Sequence, residues 1–498
     1  MCKFTNSFIT QICLFCSIAV LHYAANFAQA SGGEKLVYPK LIQSREAEGS
    51  KVVKINEDLT LNLEKSSVMG KEFLLRTYQG HVMQHNYLDG EALEEDLYHD
   101  ARMFASVMVS EENGLQVEGV LSPKWAIKPL KGQKRSDQAE DTPHVIYNIE
   151  DHDGIYAGEG VAIEERADVS GKQNQSGGRP DTVYPELLIM TDTTFSTQFE
   201  TNYTLLNYLI IAMNSVNVRY LTLSRPSVRI KFCALEILTV TEESFLFRDG
   251  DFVEGTRSLA SLRDYVQNNG VKYDTYDGVY LVTGLDMAEP SQRGWNRGVL
   301  GFAYVGRICT SNKVAFGEDK AHTFKGVRIL AHEFAHLLGC PHDGSKSGFL
   351  TSESCPWEDG FLMSYVQKDS RSMKFSQCCD SMISWMAWSN TGSCLRTLTA
   401  KRIIKKEYFV KQLPGDVLTR DQICRISFPK VPDTRFMTDY YGNENCLARC
   451  FMPKSVYGFE TALPTFLPDN SPCTENNGTI CRNGDCIREP LKYRQYKP

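Results

Sequence analysis

The chain has 498 residues, 42% of them hydrophobic and 23% charged, with a formal net charge of −7 and sixteen cysteines. That length exceeds what a single core supports, so two or three domains are expected. The acidic balance argues against a nucleic-acid partner, and past the amino terminus no apolar stretch is long enough to span a bilayer.

Residues 1–30 read as a secretory signal peptide, with Lys3 at its start, a mostly apolar run from Ile9 to Ala25, and the small residues of Ala28-Gln29-Ala30 before Ser31. His22 and Tyr23 interrupt the run and make it a poor membrane anchor, so the protein is expected to be secreted and extracellular. Cys2, Cys13 and Cys16 fall within this segment, and the other thirteen cysteines lie from Cys233 onward. Such clustering belongs to disulfide-bonded extracellular domains, and an odd count leaves one thiol over. Asn174, Asn202 and Asn477 each open a glycosylation sequon, in keeping with export.

Residues 31–180 contain no cysteine and are β-rich, with strands expected at Leu59-Thr60-Leu61-Asn62-Leu63 and at Glu72-Phe73-Leu74-Leu75. Lys134-Arg135 is a candidate processing site. The tract from Ser170 to Pro180, rich in Gly, Gln, Asn and Ser, reads as a flexible boundary open to proteolysis.

From about residue 181 the pattern changes. Tyr184 to Met190 reads as a buried strand, 199–220 as a long amphipathic helix, Val228 to Phe232 as a strand, 255–268 as a second helix, and Val279 to Thr283 as another buried strand. This alternation implies an α/β domain with a mainly parallel sheet.

The chemistry lies in His332-Glu333-Phe334-Ala335-His336-Leu337-Leu338-Gly339-Cys340-Pro341-His342. Two histidines four apart on a helix project from one face and can reach a single metal ion. Gly339 and Pro341 end the helix and let the chain turn back, so that His342 supplies a third nitrogen. Three neutral imidazoles leave the fourth tetrahedral position of Zn²⁺ open, which is the arrangement of a catalytic site. Glu333, beside the first ligand, is the candidate base for metal-assisted hydrolysis. About twenty residues on, Gly360-Phe361-Leu362-Met363-Ser364-Tyr365 puts Met363 in a short apolar turn, as the extended metzincin motif requires.

The third His followed by Asp343, the upstream Val299-Leu300-Gly301-Phe302-Ala303-Tyr304-Val305 and the downstream Met-Ser-Tyr together resemble the reprolysin (adamalysin) branch of the metzincins. That branch includes snake-venom, ADAM and ADAMTS proteases and the secreted salivary metalloproteases of ticks. The resemblance implies a metzincin-type catalytic domain over 181–397 with a zinc helix and extracellular protein substrates such as matrix proteins, gelatin or fibrinogen. It also implies that 31–180 is a propeptide of a zymogen, one with no cysteine to offer the zinc. Met363 would be an apolar floor under the metal, and the strand around Gly301 would be the cleft rim that pairs with substrate. Glu186 and Asp277 match the positions that hold Ca²⁺ in many reprolysins. Cys309 and Cys394 would form a disulfide, with Cys340, Cys355, Cys378 and Cys379 making two more in an unassigned pairing. Cys233 is then the odd thiol.

Residues 398–498 form a separate cysteine-rich module whose Cys424, Cys446, Cys450, Cys473, Cys481 and Cys486 resemble the disintegrin-like module of ADAMTS proteases. The basic run Lys401 to Lys406 reads as a solvated linker face. The competing reading is a non-catalytic binding protein acting through this module, and the intact ligand set with Glu333 argues against it.

Overall fold

The computed structural model describes residues 34–45, 49–79, 82–111, 114–130, 142–149, 179–292, 294–398, 418–437, 446–468, 471–473, 479–482 and 485–488. The signal segment, Lys134-Arg135, Asn174, Lys401 to Lys406 and Asn477 lie outside the described residues.

The amino-terminal unit, 34–149, is built on a nine-stranded sheet whose neighbouring strands all pair antiparallel. Its strand Thr60–Lys65 shows why: Leu61 and Leu63 point inward while Thr60, Asn62 and Glu64 face solvent, the period-two pattern of a half-buried strand. One face of the sheet encloses its own core of Val53, Leu61, Leu63, Val107, Val117 and Ile127. Between the strands Thr60–Lys65 and Leu97–Asp100 the chain makes a long excursion, the hairpin β1 (Met69–Gln79) and β2 (Val82–Asp89).

That hairpin belongs to a different sheet. The second sheet contains β3 (Glu186–Thr191), β4 (Lys231–Ile237), β5 (Gly278–Thr283), β6 (Gly301–Ala303) and β7 (Val314–Glu318), and the order across it is β6-β7-β5-β3-β4-β1-β2. Four of its six pairings are parallel, and only the terminal strands β6 and β2 run antiparallel to their neighbours. The sheet is therefore mainly parallel, and β3 and β5 are buried at every position, as parallel strands covered on both faces require. The expected strand at Val228 to Phe232 is displaced. Ser227–Val228 makes only a short bridge, and the long strand starts at Lys231 and carries the charged Glu236 through its buried middle.

Helix α1 (Asn202–Tyr220) corrects the expectation of an amphipathic helix. Every residue from Tyr208 to Tyr220 is buried, because the second sheet lies on one side of the helix and the amino-terminal sheet on the other. The Ser106 hydroxyl donates to the Ile211 carbonyl at 2.9 Å, and the Asn214 amide donates to the Tyr98 carbonyl at 3.2 Å. Helix α2 (Gly255–Asn268) has the expected span and keeps a polar outer face.

Helix α3 (Gly326–Leu337) carries the histidine motif and is anchored at its start by a buried carboxyl. Asp319 Oδ1 accepts from the Gly326 amide at 2.8 Å, satisfying one of the helix's unpaired N–H groups. Its Oδ2 accepts from the Tyr208 hydroxyl of α1 at 2.7 Å, and Tyr208 stacks on Phe324 with ring centroids 4.4 Å apart.

Helix α4 (Gln377–Trp388) follows the motif, and three disulfides close this region: Cys309–Cys394, Cys340–Cys379 and Cys355–Cys378. The carboxy-terminal module has a helix at Arg420–Ser427, two small hairpins, and the bridges Cys424–Cys450, Cys446–Cys481 and Cys473–Cys486 around cores of its own. With so little apolar interior, the bridges hold it.

Burial pushes the Asp319 carboxyl up to about 7. Its proton is bound more tightly in the folded chain than in the unfolded one, so this contribution to stability is complete below pH ~4 and is lost as the pH rises through about 7. Asp319→Asn should therefore lose less Tm than wild type between pH 5 and pH 8 in thermal melts, and an equal loss in the two proteins would contradict this.

Candidate metal centre

On α3 the four-residue spacing stacks His332 and His336 on one face, one turn apart. The helix then closes as expected: Gly339 has φ +96°, its amide bonds the His336 carbonyl at 2.8 Å, and the Cys340 amide reaches back to the Ala335 carbonyl at 3.0 Å. The reversal brings His342 to the same point. Its Nε2 stands 3.1 Å from Nε2 of His332 and 3.1 Å from Nε2 of His336.

These distances fit a shared ion. Three nitrogens on a tetrahedral Zn²⁺ with ~2.05 Å bonds lie about 3.3 Å apart. The hydrogen-bonding chemistry points the same way. His332 Nδ1 faces the Leu362 carbonyl at 2.8 Å and His336 Nδ1 faces the Cys340 carbonyl at 2.7 Å. A carbonyl can only accept, so each Nδ1 carries the hydrogen and each Nε2 is a bare lone pair. Lone pairs gathered this closely repel one another unless a cation lies among them. Protonation is disfavoured as well: burial, and then the neighbouring imidazoles, hold His332 well below the usual range, the same causes act on His336, and burial lowers His342 to about 4. Neutral imidazole is the form a metal needs.

The Met-turn is held by its backbone. Leu362 supplies the carbonyl that orients His332, and Arg328, one turn earlier on α3, donates to the Ser364 carbonyl at 2.9 Å. Met363 is fully buried, and its carbonyl accepts from the Asp343 amide at 3.0 Å. The Asp343 carboxylate accepts from the Ser376 hydroxyl at the start of α4 at 2.5 Å, and burial raises this carboxyl to about 6. Asp343 thus ties the turn after His342 to both the Met-turn and α4.

Glu333 is also buried, and burial raises its carboxyl well above the ordinary range. It rests against the edge strand β6. A Cβ added at Gly301 would lie 2.7 Å from Glu333 Cγ and 2.8 Å from its Oε1, so the carboxylate occupies space that only glycine leaves free. Two residues beyond Met363, the Tyr365 hydroxyl is 3.3 Å from His342 Nε2, and the Tyr365 ring packs against those of His342 and Trp357 at 5.3 and 5.0 Å. Sequence reasoning assigned no role to Gly301's missing side chain, Arg328 or Tyr365. Only the position of Tyr365 just after Met363 hinted at its neighbourhood.

Glu186 and Asp277 do come together, each 2% exposed, with the Glu186 amide donating to Asp277 Oδ2 at 2.9 Å. Burial raises Asp277 to about 7. Among the described residues, the candidate ligand group that includes Asp277 is completed only by the disulfide sulfurs of Cys309 and Cys394 and does not take in Glu186, so calcium rests on the family likeness alone. Asn202 is part-exposed at the start of α1, and Cys233 is a buried, unbridged thiol.

Residues 184–376 match the family model Reprolysin_5, metallo-peptidase family M12. The protein named "A disintegrin and metalloproteinase with thrombospondin motifs like" from Bombyx mori is 27% identical over 427 residues, which are 80% of this chain and 58% of that protein. Venom metalloproteinase antarease TserMP_A from Tityus serrulatus is 25% identical over 391 residues, 74% of this chain and 94% of that one. Among solved structures, archaemetzincin from Methanopyrus kandleri aligns with 41% of this chain and 95% of its own, at 17% identity and a TM-score of 0.26.

If the three imidazoles share one ion, purified protein should contain one transition metal per chain by mass spectrometry. His342→Ala should lose that metal to a competing chelator at least tenfold more readily. Equal retention by the variant would remove His342 from the site.

Proposed function

We propose, on the premise that residues 184–376 are a metallopeptidase domain of the reprolysin type, that the chain is a secreted zinc endopeptidase, made as a zymogen, that cleaves extracellular proteins. The observation that carries this reading is the meeting of three Nε2 lone pairs at a helix that also carries the buried Glu333 carboxyl group.

His332, His336 and His342 are assigned as the zinc ligands and Glu333 as the base. Zinc held there would acidify a water molecule and polarise the scissile carbonyl. Glu333 takes the water's proton on a carboxylate oxygen and passes it to the departing amine. A carboxyl whose affinity for the proton is raised by burial is suited to both transfers. Gly301 keeps the space in which Glu333 moves, and rim strand β6 offers backbone groups to an extended substrate chain. The Tyr365 hydroxyl is near enough to the imidazole cluster to donate to the oxygen that gains charge as the carbonyl is attacked.

Matrix or plasma proteins such as gelatin and fibrinogen are the proposed substrates, and the venom relatives support an extracellular site of action. The whole chain's specificity is part of this proposal.

Glu333→Ala should bind a full complement of zinc and lose ~10²–10⁴-fold in gelatin hydrolysis. Gly301→Ala should also keep its zinc and lower kcat at least tenfold, because the added methyl displaces the carboxylate. If Glu333→Ala remains active, the assignment of the base fails; if it is inactive yet retains the chain's biological effect, the protein acts by binding instead. Tyr365→Phe should lower kcat by ~10²-fold with little change in KM, and an unchanged kcat would remove the hydroxyl from the mechanism.

A further inference from the structure

We propose that the amino-terminal unit, 34–149, is a permanent non-covalent subunit of the catalytic domain, so that cleavage between Ser170 and Gly177 nicks the chain without releasing the unit. The inference goes beyond the peptidase reading and does not depend on it.

The two parts share one interior. A single cluster of buried side chains contains Phe73, Leu97 and Val120 from the amino-terminal unit together with Ile189, Ile211 and Phe334 from the catalytic domain, whereas the carboxy-terminal module has separate cores. Helix α1 is the seam. A methyl at Gly119 would meet the Ile211 side chain at 3.0 Å, which shows how closely the amino-terminal sheet approaches the helix. Stripped of that sheet, α1 would expose apolar side chains such as Ile211, which are buried in the shared interior, to water.

The hairpin makes the second attachment. β1 pairs parallel with β4, and without it β4 would become an open edge strand with an apolar surface. The hairpin is placed at the opposite end of the sheet from rim strand β6, so staying docked does not require the rim. The register is fixed by charge: Arg76 of β1 donates to Glu236 of β4 at 2.6 Å, with the side chains 4% and 0% exposed, and the Tyr78 hydroxyl takes the other oxygen of Glu236 at 2.5 Å. Losing one member of such a pair leaves the other charge buried alone, which is strongly destabilising. No cysteine lies between residues 31 and 180, so nothing covalent would hold the pieces after cleavage.

Cys233 is a built-in reporter. Its thiol lies under the hairpin, where a Cβ at Gly70 would be 2.9 Å from the sulfur, and it is the free cysteine of the described residues. The test uses the full secreted chain with a specific protease site placed between Ser170 and Gly177. After complete cutting, confirmed as two bands on a denaturing gel, the pieces should co-elute at the mass of the uncut chain in 0.15 M salt. Cys233 should react with a disulfide-exchange reagent no more than twofold faster than before cutting. Arg76→Met, cut the same way, should separate or label at least tenfold faster. Wild-type pieces that part, leaving a soluble catalytic piece with a reactive thiol, would overturn the proposal whatever the variant does. If cut Arg76→Met were as tight as wild type, the role given to the Arg76–Glu236 pair would be overturned. Neither readout uses zinc or peptidase activity, so failure here is distinguishable from failure of the enzymatic reading.

Discussion

Two backbone carbonyls decide where the imidazoles point. By accepting from Nδ1 of His332 and His336, the Leu362 and Cys340 carbonyls turn both Nε2 lone pairs toward the place reached by His342. Without that constraint the helix spacing would put two rings on one face and leave their tautomers and tilts undefined. The rest of the motif serves to hold those carbonyls still. Arg328 clamps the backbone around Met363, Gly339 lets the chain leave the helix within one turn, and Asp343 bonds to both the Met-turn and α4. Cys340, whose carbonyl orients His336, is itself pinned to α4 through Cys379.

The same economy of placement governs Glu333. Its carboxylate is desolvated between the helix and an edge strand that has no side chain at Gly301, and the cost of burying it appears as a raised affinity for a proton. In the proposed mechanism, where Glu333 accepts a proton and then gives it up, that position is an advantage. Behind the site, α3 is anchored by Asp319, which is bonded in turn to Tyr208 of α1. Because α1 packs against the amino-terminal sheet, residues 34–149 and the elements behind the centre share one buried interior.

The imidazole cluster was legible in the sequence because it is local: the three histidines lie within eleven residues, and helix geometry plus one glycine determine their arrangement. The buried strands β3 and β5 were legible too, since runs such as Leu187-Leu188-Ile189-Met190 have little choice of environment. What failed to show was non-local. Helix α1 read as amphipathic because Asn202, Asn207, Asn214 and Asn217 break its apolar run, yet Asn214 and Asn217 spend their amides on buried partners, Tyr98 in another unit and Ile230. The strand expected at Val228 to Phe232 stands instead at Lys231–Ile237, where the buried Glu236 is matched by Arg76, 160 residues earlier. The adjacent Cys378 and Cys379 could not be assigned from order alone. On α4 they point in different directions, one to Cys355 and the other to Cys340.

Zinc-edge X-ray absorption on the purified chain examines the central arrangement itself, apart from any assay of turnover. The account predicts one zinc per chain with three imidazole nitrogens and one further light-atom donor at ~2.0–2.1 Å. A sulfur shell at ~2.3 Å, or scattering from fewer than three imidazoles, would mean that His332, His336 and His342 do not share the ion.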